Sequence, residues 1–189
     1  MKEHHEMSAG DFKILLTSLI HGKSSTEKSM AGILLDHSTN AQRKFDPVIF
    51  DQWLDDLVGW AEVDTVCTGA YTISEIPTDW MRWKKLLERF SKSKNIHKRR
   101  ASLVLLCSPL RRFKSEPMAL MALQNAERLK SEKEILITKA ISWVLRSAVV
   151  HHRELVKKYL NLNRDSLPKI AVRETQTVLK TGKKTKSKT

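Results

Sequence analysis

One acid, two tryptophans and two basic residues stand at spacings that could support chemistry on a nucleotide. Asp64 follows Trp60 by four residues, and Trp143 follows Lys139 by the same interval, so each pair is expected to share one face of a helix. An indole face attracts cations, and a carboxylate stabilises positive charge developing on an anomeric carbon and can orient a water towards it. With Arg100 holding a flanking phosphate, this set favours hydrolysis of the N-glycosidic bond of a cationic, alkylated nucleotide.

The same residues also have structural explanations. Tryptophans in a helical apolar pattern are more often core residues, and Trp53, Trp80 and Trp83 are assigned to the core. Asp64 could be a helix-surface acid or the partner of a neighbouring base. The apolar Val66 beside it predicts partial burial, where an unpaired carboxylate is costly.

The elements that must position these residues are predicted to be helices. Apolar residues recur at helical intervals in nearly every segment, and strand-like alternation never extends beyond a few residues. The pattern predicts helices over 11–21, 26–36, 48–58, 60–71, 79–90, 95–107, 117–130, 132–150, 152–161 and 166–180. Such a series of short helices fits either a bundle or a helical solenoid.

An internal repeat favours the solenoid. The pattern Arg100-Ala101-x-x-x-Leu105-Leu106 recurs 39 residues later from Lys139 and another 34 residues later from Arg173. A period of this length over two helices is typical of HEAT-like repeats. We therefore predict an all-α fold, a HEAT-like α-solenoid of about five helix pairs. It forms one domain over residues 1–180, followed by a disordered Lys-rich tail over 181–189.

The repeat also predicts a row of residues along the concave surface, which the second helix of each pair lines in such a stack. Lys28 lies 72 residues before Arg100, and Asp64 lies midway between them. The row therefore reads Lys28, Asp64, Arg100, Lys139 and Arg173. Four cations and one acid predict a concave basic groove for phosphates with a carboxylate in its middle.

The charge of the chain is distributed very unevenly. Lys and Arg number 34 against 21 Asp and Glu, a net charge of +13. Residues 1–79 hold 6 bases and 13 acids, net −7, whereas residues 80–189 hold 28 bases and 8 acids, net +20. A half-molecule of this charge attracts polyanions, and nucleic-acid backbone is the commonest of them. The alternative is a surface charge that serves solubility only.

Several other classes of protein and site are disfavoured. No apolar run approaches the ~18 residues of a membrane span, and the start lacks the apolar stretch of a signal peptide, so we expect a soluble, cytoplasmic protein. Cys67 and Cys107 stand in apolar surroundings without metal-ligand spacing and are expected to be buried free thiols. There is no Gly-rich phosphate loop and no nucleophile elbow.

Four segments of the chain resemble motifs of the bacterial AlkD family of DNA alkylation-repair glycosylases. Gly59–Thr65 is similar to its W-x-x-V-D motif, and Asn95–Ala101 to its N-I-x-x-x-R-A stretch. Lys139–Arg146 is very close to its K-A-I-G-W-x-L-R signature, with Ser142 in place of the glycine. The segment from Leu167 to Glu174 resembles the closing helix with its R-E pair. The resemblance covers residues 12–180.

The resemblance implies HEAT-like repeats around duplex DNA and excision of N3- and N7-alkylated purines without a metal or cofactor. Carried over to this sequence, Trp60 and Trp143 would contact the deoxyribose and the damaged nucleotide. Asp64 would stabilise the oxocarbenium-like state and position water, and Arg100 would grip the backbone beside the lesion.

The expected partner is therefore double-stranded DNA with alkylated purines, bound by a monomer of this chain. Five cations are assigned to DNA binding: Lys28, Arg99, Lys139, Arg146 and Arg173. Two other hypotheses remain open, a helical-repeat protein that binds DNA without catalysis and a repeat scaffold for other proteins.

Overall fold

The structure, a computed structural model, describes residues 7–184, and every regular element in that range is a helix. The helices are α1 (Ala9–Ile20), α2 (Ser25–His37), α3 (Ile49–Asp56), α4 (Gly59–Cys67), α5 (Ala70–Thr78), α6 (Trp80–Ser91), α7 (Ile96–Val104), α8 (Cys107–Arg112), α9 (Glu116–Leu129), α10 (Ile135–Leu162) and α11 (Lys169–Thr181). The prediction of an all-α fold is confirmed. The last five residues of the predicted Lys-rich tail, 185–189, lie outside the described range.

The second helices of the successive predicted pairs pack side by side. Helix α2 packs against α4, α4 against α7, α7 against α10, and α10 against α11. We call these five helices the second-helix layer. Helices α1, α6 and α9 each pack against a member of that layer. This order is compatible with the predicted α-solenoid.

The middle repeats contain short helices that the pairing did not predict. A single helix was expected from Trp60 to Tyr71, but α4 ends at Cys67 and α5 begins at Ala70. Gly69 between them has φ +91°, a backbone conformation that favours glycine. The helix therefore breaks at this glycine, and α5 packs against α8 of the next repeat.

A carboxylate from another repeat supports this break. The Asp36 carboxylate in α2 accepts the backbone N–H of Ala70, which caps an otherwise unsatisfied donor at the start of α5. Pro77 lies inside the last turn of α5. The next helix, predicted over 79–90, is α6, which begins one residue later at Trp80.

Helix α10 is bent where two separate helices were predicted. His152 has φ −128° and ψ 42° inside the span Ile135–Leu162. The predicted boundary at residue 151 therefore corresponds to a real break in helical geometry. The first half of α10 carries the Lys139–Arg146 segment.

An aromatic cluster fills the core beneath the first repeats. Phe50 lies 5.0 Å from Trp53, 5.5 Å from Tyr71 and 5.1 Å from Trp83, measured between ring centroids. Trp53 and Trp83 are fully buried, which confirms their assignment to the core, and Trp80 is half-buried against it.

The two cysteines are buried free thiols, as predicted. Burial raises the pKa of Cys107 to about 12 and raises that of Cys67 well above its ordinary value.

Close packing of α2 and α4 depends on a glycine. A Cβ atom at Gly32 would lie 2.5 Å from the Thr65 methyl group and 2.6 Å from the Thr65 carbonyl oxygen. No side chain larger than hydrogen fits without separating the two helices. This contact fixes the helix that carries Asp64.

Candidate active site and nucleic-acid interface

Asp64 and Arg100 form a bidentate ion pair between α4 and α7. The Arg100 Nε donates to Asp64 Oδ1 at 2.9 Å, and Nη2 donates to Oδ2 at 2.7 Å. The third nitrogen, Nη1, donates to the carbonyl oxygen of Leu136 in α10. One guanidinium thus connects three adjacent helices of the second-helix layer, and each of its nitrogens has a protein acceptor.

The ion pair is largely removed from solvent, with side-chain exposures of 5% for Arg100 and 16% for Asp64. Burial raises the pKa of the Asp64 carboxyl above its ordinary 3.8, although the hydrogen bonds and positive charge of Arg100 act in the opposite direction. The carboxylate keeps a small exposed edge that can accept a hydrogen bond from a water or a ligand. Its position is fixed, because Arg100 holds both of its oxygens.

Trp60 lies one helical turn before Asp64 and is the more accessible of the two predicted tryptophans. Its exposed fraction is 63%, unusual for so large an apolar side chain. It stands in the first turn of α4, directly after Gly59, whose φ is +75°. Since residues four apart share a helix face, the indole and the Asp64 carboxylate project from the same side of α4.

Lys28 and Glu62 hold the start of α4 in place. The Glu62 carboxylate accepts the backbone N–H of Val58 at 2.8 Å, and Lys28 Nζ lies 3.6 Å from the same oxygen. Lys28 Nζ also donates to the carbonyl oxygen of Asp56 at 2.5 Å. The side chain of Lys28, predicted to face phosphates, is only 14% exposed and instead fixes the turn that presents Trp60.

Trp143 is half-buried in α10, and a cation lies over it. The guanidinium carbon of Arg111 is 5.8 Å from the centroid of the indole, within the range of a cation–π contact. Trp143 follows Leu136, the acceptor of Arg100, by two helical turns, or about 10 Å along the axis. The sequence did not single out Arg111, because α8 has only six residues and gives no periodic signal.

Arg99 and Arg146 make ion pairs within the protein. Arg99 donates to both carboxylate oxygens of Glu132, at 2.8 and 3.0 Å. Arg146 Nε lies 3.3 Å from Glu174 in α11, whose carboxylate also accepts the Ser142 hydroxyl at 2.6 Å. Both arginines were predicted to bind DNA. In the structure, Arg99 connects α7 to the loop before α10, and Arg146 connects α10 to α11.

Lys139 and Arg173 differ from the other predicted cations. Both side chains are exposed, and neither takes part in an ion pair within residues 7–184. Lys139 lies between Leu136 and Trp143 on one face of α10. These two cations are free to meet phosphates.

A cavity of about 320 Å³ opens beside Asp64 in the seam between α2 and α4. Its lining residues are Gly32, Ile33, Asp36, His37, Asp64, Thr65, Thr68 and Gly69. Two carboxylates, one apolar side chain and two threonines make this a small surface suited to positive charge. Asp36, which the sequence did not single out, supplies the second carboxylate.

A comparison with known families identifies the family of the chain. A sequence model of the family described as "DNA alkylation repair enzyme" matches residues 1–179. The chain belongs to this family. Among curated proteins, no sequence matches it.

Membership in the DNA alkylation repair family implies that DNA is the substrate and that the protein is an enzyme. In this DNA alkylation repair protein, the predicted residues Asp64 and Arg100 contact each other, and the exposed Trp60 lies one helical turn before Asp64. Trp143 lies farther along the layer with its own cation. No helix within residues 7–184 has the length and apolarity needed to cross a bilayer.

Proposed function

We propose that the protein is a DNA glycosylase that removes cationic N3- and N7-alkylated purines from duplex DNA. The observation that carries the proposal is the Asp64 carboxylate, held by Arg100 at 2.7 and 2.9 Å, one helical turn from the exposed indole of Trp60. This arrangement presents a fixed negative charge and an aromatic face side by side. Both features are complementary to a deoxyribose that becomes positively charged.

The reaction is hydrolysis of the bond between C1′ of the deoxyribose and the purine nitrogen. Alkylation gives the purine a positive charge, so it leaves with the bonding electrons as a neutral base and needs no strong general acid. The sugar becomes an oxocarbenium-like cation, which the Asp64 carboxylate stabilises. Asp64 also orients the water whose oxygen attacks C1′, and the water proton passes to the carboxylate or to solvent.

Arg100 acts on Asp64 in this proposal rather than on a phosphate. All three of its nitrogens are engaged within the protein, so a phosphate contact would require the ion pair to break. We propose that Arg100 positions the carboxylate, while Lys139 and Arg173 contact the backbone. Lys28, Arg99 and Arg146 hold helices of the second-helix layer, and we assign them positioning roles.

The decisive experiment incubates the wild-type protein with methylated duplex DNA and identifies released bases by chromatography. Asp64→Asn should bind DNA but lose about 10²-fold or more in base release, as expected when a charge directed at a transition state is removed. Glu116→Gln, which removes an exposed acid in the first turn of α9, is the control and should keep the wild-type rate. Full activity of Asp64→Asn, or no release by the wild-type protein, would reject the proposal.

A second candidate is a DNA-binding repeat protein without catalysis. It is favoured by the ion pair with Arg100, which balances the negative charge of Asp64. It predicts salt-dependent binding to unmodified duplex and no base release by any variant.

A further inference from the structure

A depression of about 320 Å³ lies between the second half of α10 and α11, away from Asp64. It is lined by Arg153, Lys157, Leu160, Asn161, Gln176, Leu179 and Lys180. Three of these side chains are cations, two are amides, and none is a carboxylate. The depression therefore offers donors to an anion and no acid to repel it.

No acid in the described part of the chain forms an ion pair with the three cations. Arg153, Lys157 and Lys180 are exposed, and no ion pair involves them in the range from residue 7 to residue 184. Arg153 Nη2 donates to the carbonyl oxygen of Leu179 in the last turns of α11, which directs its guanidinium towards the depression. This contrasts with Arg99 and Arg146, whose charges are balanced by acids.

The depression continues into a second basic surface along α11. A neighbouring cavity is lined by Arg164, Asp165, Leu167, Lys169, Val172, Arg173 and Gln176, and so shares Gln176 with the first. Residues 153–184 hold nine Lys and Arg against three Asp and Glu. One of these acids, Glu174, is occupied by Arg146.

The dimensions of this surface suit a nucleic-acid backbone. Lys169, Arg173 and Lys180 lie at intervals of four and seven residues, which places them on one face of α11. Eleven residues of helix span about 16 Å, and duplex DNA rises about 3.4 Å per base pair. The row therefore matches about five base pairs of backbone.

We infer that the surface formed by Arg153, Lys157 and Lys180 binds the phosphate backbone of duplex DNA that flanks the lesion. The inference rests on the proposed function, because that function places the lesion beside Asp64. The observation that favours DNA is the continuity with Arg173, the exposed cation in the predicted phosphate row. The contacts are to phosphates only, so they add affinity without sequence preference.

The test uses the variant Arg153→Ala/Lys157→Ala/Lys180→Ala and two methylated duplexes, one of ten base pairs around the lesion and one of thirty. Dissociation constants are measured by fluorescence anisotropy over a range of salt concentrations. On the long duplex, the slope of log K against the logarithm of the salt concentration should become less steep by about 2 to 3. Each lost phosphate contact contributes about 0.9 to this slope. On the short duplex, the slope and the rate of base release should equal those of the wild-type protein.

A control of equal charge separates a local contact from a general change in charge. Lys23→Ala/Lys84→Ala/Lys85→Ala removes three exposed lysines elsewhere and should leave the slope on the long duplex unchanged. Equal slopes for the wild type and the α10–α11 variant, or the same loss in the control, would overturn the inference while leaving base release intact. Loss of slope in the α10–α11 variant without any base release by the wild-type protein would instead reject the glycosylase and keep the DNA surface. Loss of binding to anionic lipid vesicles, with DNA binding unchanged, would overturn the inference in favour of a membrane.

Discussion

Replacing Arg100 with Met tests whether the ion pair keeps the Asp64 carboxylate charged and in position. The variant keeps most of the buried side-chain volume but leaves the Asp64 carboxylate and the Leu136 carbonyl without their donor. Removing one partner of a buried ion pair costs about 3–5 kcal/mol. Because 16% of the Asp64 side chain remains exposed, we expect the lower end, about 3 kcal/mol. For a chain of this size the melting temperature should fall by about 6–12 °C.

The same substitution should raise the pKa of Asp64 further. Burial already raises it, and Arg100 is the group that lowers it. With the arginine gone, the carboxyl stays protonated to higher pH, and the charged form that stabilises the sugar cation is lost. Base release should therefore decline as the pH falls, and this decline should begin at higher pH in Arg100→Met than in the wild type.

The assay is a double-mutant cycle with Asp64→Asn, Arg100→Met and the double variant. Thermal unfolding and base release are measured for all four proteins. The double variant should be less destabilised than the sum of the singles by about 2 kcal/mol, because no unpaired charge remains. Arg99→Met is the matched control, since its pair with Glu132 has similar geometry, at 2.8 and 3.0 Å. It should lose stability and keep the wild-type pH profile of base release. A coupling below about 0.5 kcal/mol, or the same shifted profile in the control, would refute the reasoning.

Two further predictions concern stability. Burial lowers the pKa of His97, although the charge of Glu62 opposes this, and its Nδ1 is buried without a hydrogen-bond partner among residues 7–184. Because the unfolded chain then takes up a proton at higher pH than the folded chain, stability should fall as the pH drops below about 6.5. Urea unfolding at pH 7.5 and pH 5 should show a larger loss for the wild type than for His97→Gln, and equal losses would contradict this. Gly32→Ala should cost about 1–3 kcal/mol, because its Cβ would lie 2.6 Å from the Thr65 carbonyl oxygen. Gly10→Ala, whose nearest atom would be 3.7 Å away, should be neutral or stabilising, and equal melting temperatures for the two variants would remove the steric argument.

The sequence predicted the helices well where the apolar pattern is long. The pattern of α6 and α9 gave their positions to within a residue or two. The apolar patterns of α3 and α6 also placed Trp53 and Trp83 in the core, where both are buried. Helices α5 and α8 were missed, because the pattern joined the first residues of α5 to α4 and the first residue of α8 to α7. Their boundaries depend on tertiary contacts such as the one from Asp36 to Ala70.

The repeat period predicted that the candidate site residues lie in one layer of helices. It did not predict the direction in which their side chains point. Asp64 and Arg100 are separated by 36 residues, one repeat, so their helices are neighbours. A repeat pattern says which residues occupy equivalent positions, and it does not say whether a side chain points outward or towards the next helix. Arg100 points towards the neighbouring Asp64, and Lys28 likewise turns to Glu62, whereas Lys139 stays exposed.

The buried cysteines have a consequence for a protein that repairs alkylation. Electrophiles that modify purines also attack thiols, and the reactive species is the thiolate. Cys67 and Cys107 are fully buried, and their raised pKa values leave almost no thiolate at neutral pH. The strongest nucleophiles of the chain are thereby held as buried thiols, in the protonated form that reacts least with electrophiles.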